Sequence, residues 1–274
     1  MFSPTYFRAR ATEIVPRPES FCALNVALYR EGRKHWAFTE HPLRRVRRAA
    51  EHLELGRSRV QWDDGQLRID IDERSTALGA PVRGVIRLRP TQRFGKAVAL
   101  DPVARHHWWP VAPLAQVEVE MERPGFRFVG SGYHDTNFGR EPLERGFSSW
   151  NWCRAETEAG TAILYDAQTL EGQPRERGLL FGVDGTIERL EAPAAHRLPR
   201  TGWGMERSTR TDVGFEPKVL RTLENAPFYS RSLIETQLRG EPVTAMHESL
   251  SLDRFCHPLV QRMLPYRIRR GWRA

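Results

Sequence analysis

Hydrophobic and polar residues alternate along much of this chain with a period of two. Leu67, Ile69 and Ile71 are separated by Arg68 and Asp70, and Val117, Val119 and Met121 by Glu118 and Glu120. Successive side chains of a strand point to opposite faces, so such runs predict antiparallel strands with one face buried and one in water. Asp64-Gly65 and Asp184-Gly185 sit between such runs and are hairpin signals, and Glu158-Ala159-Gly160 predicts a third turn. Helical spacing is confined to three places: 40–55, where Leu43, Val46, Ala50 and Leu53 form an apolar stripe, 217–225, and 257–264, which Pro265 would stop. The chain has no dinucleotide-binding glycine pattern, no P-loop and no repeat of solenoid period. Strands and hairpins in both halves predict an all-β chain of closed or nearly closed antiparallel barrels. A barrel of about eight to ten strands encloses room for one elongated apolar ligand. A length of 274 residues suits one large or two small domains, and the loop around Gly139–Glu144 is the expected cut, giving 1–142 and 143–274.

Composition narrows the setting. Hydrophobic residues make up 40% of the chain and there are eight Trp, enough for a folded core. No apolar run approaches the roughly 20 residues of a spanning helix, and the first twenty residues carry no secretory h-region. Cys22, Cys153 and Cys256 are far apart and odd in number, which excludes a disulfide framework or CxxC metal pair and fits a reducing cytoplasm. The net charge is +8, and only three of the cations are lysines. Most of the arginine is expected to be dispersed and solvated. Two places are denser: Arg44, Arg45, Arg47 and Arg48 in the expected first helix, and the tail with Arg262, Arg267, Arg269, Arg270 and Arg273 beside Met263, Leu264, Tyr266 and Trp272. Basic residues beside aromatic and aliphatic ones suit peripheral contact with an anionic bilayer. Nucleic acid is the rival partner, but no recognition signature for it is present.

Candidate chemistry concentrates in two blocks. Gly130–Arg154 holds Tyr133, His134, Asp135, Asn137, Trp150 and Trp152; His106-His107-Trp108-Trp109-Pro110 lies upstream. As strands, Tyr133, Asp135 and Asn137 share one face and His134 takes the other; His106 shares a face with Trp108, and Trp150 with Trp152. Adjacent His106 and His107 diverge on a strand, and no ligand-spaced His/Cys/Asp cluster is present, so no metal is expected. Acids and histidines suit proton transfer, and indoles suit an apolar or cationic species. Asp135 reads equally as the Asx residue of a turn ending at Gly139, and the tryptophans as ordinary core.

These blocks carry a resemblance. With FSPTY near the start, FCALNVALY at 21–29, His106-x-Trp108-x-Pro110, GYHDTNFG at 132–139, WNW at 150–152 and the long segment 226–255, the chain resembles the bacterial carotenoid 1,2-hydratases, or hydroxyneurosporene synthases, almost end to end. The resemblance implies two lipocalin-like β-barrel domains packed side by side. It implies a hydro-lyase that adds water across the terminal C1=C2 bond of an acyclic carotene such as neurosporene or lycopene, with no cofactor. That reaction needs a proton donor for C2, shelter for a tertiary cation at C1 and one positioned water. Asp135 is the expected donor; to stay protonated at neutral pH its pKa must rise roughly 3 units from about 3.9, at about 4 kcal/mol, which burial can supply. Tyr133 is expected to hydrogen-bond Asp135 or hold the water, His106 to orient or reprotonate the acid, and Trp108 to face the cation. Trp150, Trp152, Asn137 and His134 are the expected substrate-binding residues. In the same family segment, Tyr229, Arg231, His247 and Glu248 are chemically suggestive and are expected to have structural or pocket-lining duty, with no further role assigned. Two other readings stay open: a non-catalytic lipocalin-like carrier of carotenoid or another apolar ligand, and a polyene cyclase on the same double barrel.

Overall fold

The computed structural model describes residues 4–12, 17–30, 32–172, 174–264 and 269–270. In chain order the strands are β1 (Ala23–Arg30), β2 (Arg33–Glu40), β3 (Val46–Arg48), β4 (His52–Leu55), β5 (Ser58–Asp63), β6 (Gln66–Arg74), β7 (Pro81–Gln92), β8 (Val98–Ala99), β9 (His106–Arg123), β10 (Phe126–Gly139), β11 (Phe147–Thr157), β12 (Gly160–Thr169), β13 (Pro174–Gly182), β14 (Ile187–Arg189), β15 (Ala195–Leu198), β16 (Arg207–Arg210), β17 (Lys218–Asn225), β18 (Tyr229–Leu238), β19 (Glu241–Ser251) and β20 (Arg269–Arg270). Helices are short: α1 (Pro4–Thr12), α2 (Leu252–Cys256) and α3 (Pro258–Met263). The all-β expectation holds. Both runs of alternation lie in strands, with Leu67, Ile71, Val119 and Met121 buried. Asp64 and Gly65 form the β5–β6 turn, both with positive φ (45° and 75°), the backbone of a type I′ hairpin. Residues 158–159 turn between β11 and β12, and 183–185 between β13 and β14.

Cα proximity groups the chain into two units, each built from non-contiguous stretches. The first comprises 1–91, 115–132 and 261–274. Its core joins Val26 and Leu28 of β1, Ala37 of β2, Ile71 of β6, Val82 of β7 and Val119 and Met121 of β9. The second comprises 92–114 and 133–260. It contains a seven-stranded antiparallel sheet in the order β14-β13-β12-β11-β19-β18-β17 and the two-stranded sheet β15-β16. Its core gathers Cys153, Ala155, Ala162, Leu164, Leu180, Ile234 and Ala245 on one face of the large sheet. The strand order β10-β9-β7-β6-β5-β4-β3 makes up the remaining large sheet, and β9 and β10 carry residues of both units.

Two expected helices are strands. Residues 43–55 form a 3-10 turn (Leu43–Arg45) and the β3–β4 hairpin, in which Val46 faces Leu55 and Arg48 faces Leu53. The expected apolar stripe does not form: Leu43 and Ala50 are exposed, and only Val46 and Leu53 are half-buried, on one face of the hairpin. Residues 218–225 are β17, which carries irregularities between Val219 and Arg221 and between Thr222 and Glu224. A bulge adds a residue to one strand, so Val219 and Thr222, paired with the inward Ile234 and Ser232, lie three positions apart and mimic a helix period. The third expectation holds in α3, preceded by α2, whose N-cap Ser251 Oγ accepts from Arg254 N at 3.3 Å. Pro265 and most of the basic tail lie outside the described residues. No helix among the described residues is long and apolar enough to cross a membrane.

Candidate active site

The site belongs wholly to the second unit. Asp101 fixes the entry to β9: its Oδ1 accepts from the backbone N–H of Val103 and Arg105, and its Oδ2 from that of His106 at 2.6 Å. Alternation then turns His106, Trp108 and Pro110 inward, and Trp108 is fully buried. On β10 the inward face carries Tyr133 and Asp135. Three donor–acceptor distances close a triangle: Trp108 Nε1 to Asp135 Oδ2 at 2.9 Å, Tyr133 Oη to the same oxygen at 2.9 Å, and Trp108 Nε1 to Tyr133 Oη at 3.1 Å. Asp135 is therefore a mid-strand residue with its carboxyl tied across to β9, and the turn-capping alternative falls away.

Burial pushes the Asp135 carboxyl above the usual carboxylate range. The hydrogen bonds from Tyr133 and Trp108 act against the shift, and the negative charge of Glu248 adds to it. Burial, with the Asp135 charge, likewise drives the Tyr133 phenol well above its ordinary value. Burial disfavours the charged form of this carboxyl, while its two donors would hold a carboxylate once formed.

Four strands of the large sheet supply the facing surface. Trp152 on β11 lies opposite Tyr165 on β12 and Glu248 on β19, and Glu248 lies opposite Arg231 on β18. This row, Tyr165–Trp152–Glu248–Arg231, shares one face because directly paired residues point the same way. Arg231 donates to Glu248 Oε1 from Nε at 2.8 Å and from Nη2 at 2.7 Å. The row meets the triangle through its rings: Tyr133 and Trp152 centroids are 5.4 Å apart, Trp108 and Tyr165 5.7 Å, and Trp150 and Tyr165 6.1 Å. The Arg154 guanidinium sits 5.6 Å from the Tyr133 ring centre. Trp152 Nε1 is buried and has no hydrogen-bond partner in the protein.

The other expected residues are placed differently. His106 shares the inward face with Trp108 but turns toward Gly139, Gly146 and Phe147, whose ring centre is 5.0 Å away, with Nε2 3.5 Å from Glu141 Oε1. A Cβ on Gly139 would stand 2.7 Å from its Nδ1, so glycine is what lets the imidazole fit. His134 points to the opposite face of β10, half-buried, and burial lowers its pKa. Asn137 is exposed. His107 stacks on Phe138 at 5.1 Å. His247 lies on the core face of β19 with Nε2 2.8 Å from Ser208 O, and burial pushes its pKa down to about 4. Tyr165 and Arg154 join the site without having been expected there, and the Glu248–Arg231 pair, expected only as structural or pocket-lining residues, joins with them. Among the described residues no three of His, Cys, Asp and Glu are grouped to hold a metal. A separate cavity of about 730 Å³ opens on the first unit, lined by Asp72, Arg83, Glu120, Glu122 and Arg127 among others. Its charges pair with one another, as in Arg83–Asp72 and Arg83–Glu122, and Ile71, Val85, Met121 and Phe126 also line it.

Comparison with known proteins decides the family. The family model described as carotenoid hydratase CrtC matches residues 1–274. The chain belongs to the CrtC carotenoid hydratase family. Within it, the chain is 45% identical over 271 residues to a protein of Thiocapsa roseopersicina named acyclic carotenoid 1,2-hydratase, covering 98% of this chain and 67% of that one. It is 37% identical over 275 residues to a protein of the same name from Cereibacter sphaeroides, covering 99% and 96%. In fold it is similar to a solved AttH protein from Nitrosomonas europaea, with a TM-score of 0.59 and 14% identity over 83% of this chain and 80% of that one. The family is thus one of hydro-lyases.

Proposed function

We propose that this chain adds water across the terminal C1=C2 bond of an acyclic carotene, with Asp135 as the proton donor. The observation that carries the reading is the triangle at Asp135 Oδ2: a carboxyl raised by burial and held by two N–H and O–H donors. A trisubstituted alkene is a weak base, so its protonation needs an acid that is neutral at working pH and strong at the moment of transfer. Desolvation supplies the first property, and Trp108 and Tyr133 supply the second by stabilising the carboxylate that forms. Transfer to C2 leaves a tertiary cation at C1. The faces of Trp152, Tyr165 and Trp150 offer it shelter, about 2 kcal/mol for a desolvated cation over an indole. Water then closes the reaction at C1. The substrate reaches the enzyme from a bilayer, since a C40 polyene is insoluble in water.

The test is incubation of the purified chain with lycopene or neurosporene dispersed in liposomes, with no added cofactor, read by chromatography and mass spectrometry. The expected result is a product heavier by one water that is absent with Asp135→Asn. Carotene that co-purifies unchanged with the wild-type chain refutes the hydratase reading.

A further inference from the structure

Hydration needs two proton transfers, and Asp135 accounts for one. The water that attacks C1 must lose a proton, and Asp135, engaged as the donor to C2 with Oδ2 held by Trp108 Nε1–H and Tyr133 Oη–H, is spared that task if a second acceptor faces C1. A second carboxyl stands on the facing surface. Glu248 is next to Trp152 in the register of β11 and β19, and Trp152 packs on Tyr133, which touches Asp135. Arg231 brings Nε and Nη2 to Oε1 of Glu248, at 2.8 and 2.7 Å, and both contacts fall on that oxygen and not on Oε2. Beside it, the Trp152 indole N–H is buried with no acceptor in the protein, a cost that buried polar groups rarely bear without a ligand or water. An N–H donor and a carboxylate oxygen on neighbouring positions of one sheet face are the two contacts that hold a water with a lone pair directed outward.

We infer that Glu248 is the base of the reaction: Trp152 Nε1–H and Glu248 Oε2 hold the attacking water, and Glu248 takes its proton while Arg231 positions the carboxylate. The inference rests on the hydratase reading above. The balance is complete. The C1=C2 π pair takes the Asp135 proton and forms C2–H; a water lone pair forms C1–O; the water O–H bond breaks toward Glu248 Oε2. After the product leaves, Glu248 gives its proton to solvent water and Asp135 takes one from it, which resets the site. Two carboxyls in one site with opposite starting protonation divide the acid and base work.

Heavy water separates the two halves. In D2O, reversible protonation by Asp135 followed by loss of the original C2 proton puts deuterium into unreacted carotene without any hydration. The expected result with Glu248→Gln, its fold checked by circular dichroism, is hydration lowered roughly 100-fold or more, the range of a general base, with Asp135-dependent deuterium uptake retained. Glu248→Asp, which keeps a carboxylate, should recover part of the hydration. Wild-type hydration by Glu248→Gln overturns the inference and leaves the hydratase reading intact, as does loss of deuterium uptake along with hydration. A Glu248→Asp variant no better than Glu248→Gln also overturns it. If the wild-type chain neither hydrates nor exchanges, the parent reading itself fails.

Discussion

Replacing Trp108 by Phe removes one indole N–H and keeps an aromatic ring on a fully buried position. The N–H is shared between Asp135 Oδ2 at 2.9 Å and Tyr133 Oη at 3.1 Å. A hydrogen bond to a charged group contributes about 1.5–3 kcal/mol, and sharing favours the lower end. The bond favours the carboxylate, so losing it raises the Asp135 pKa further, by about one unit at 1.36 kcal/mol per unit. Catalysis requires the protonated acid, so activity is present below the folded pKa of Asp135 and lost as pH rises through it. The alkaline limb of the kcat profile should therefore move up by about one unit in Trp108→Phe. The plateau should fall at the same time, because the weaker acid leaves a less stabilised carboxylate. If half the bond is felt in the transition state, the fall is about 1 kcal/mol, or roughly fivefold. Tyr133→Phe should move the limb the same way, and the double variant should be non-additive because both donors act on one oxygen. A Trp108 that served only as a ring facing the cation would give a lower rate with an unmoved limb. That result, or a limb that moves down, refutes the reasoning.

The remaining expectations concern stability and docking. Asp135 has a raised folded pKa, so the folded chain binds more protons than the unfolded one, and stability falls as pH rises from about 3.8 through the folded value; Asp135→Asn should flatten that slope and leave thermal stability at pH 7 unchanged or higher while activity is lost. His247 has a folded pKa pushed down to about 4 by burial; stability should be lost as pH falls from about 6.5 to about 4, by about 3 kcal/mol in all, and a thermal-unfolding series with His247→Gln should lack that loss. Gly65 has φ +75°; Gly65→Ala should destabilise the β5–β6 hairpin by about 1 kcal/mol in a denaturant titration. Exposed Arg44, Arg47 and Arg48 should support sedimentation with anionic liposomes that weakens with salt, and equal sedimentation with neutral liposomes at every salt concentration would count against it.

How far residues alone reveal this molecule depends on whether a feature is local. Alternation and turn chemistry are local, and they locate the strands around Leu67–Ile71 and Val117–Met121 and the turn at Asp64-Gly65. Helix spacing misleads at 43–55, where two of the four spaced apolar residues, Leu43 and Ala50, are exposed, and at 218–225, where a bulged strand puts inward positions three apart without a helix. The acid and its two donors are half local: alternation puts Tyr133 and Asp135 on one face and Trp108 inward, and the neighbouring of β9 and β10 does the rest. His106 shows the limit of that argument. Two residues of strand carry it about 6.6 Å from Trp108, far enough to leave Asp135 for the slot made by Gly139 and Gly146. The row Tyr165–Trp152–Glu248–Arg231 is not local at all. Alternation tells which residues of β11 share a face, and separately which of β19 do, but only strand register sets Glu248 opposite Trp152. An addition reaction that moves two protons needs groups of different acidity held a few ångströms apart. Two strands of one sheet edge can carry the acid, but its counterpart has to come from a facing surface. The part of such a site that a linear pattern exposes is therefore the part built on one hairpin, and the proposed base and the residues beside it come together only with the pairing of β11, β19 and β18.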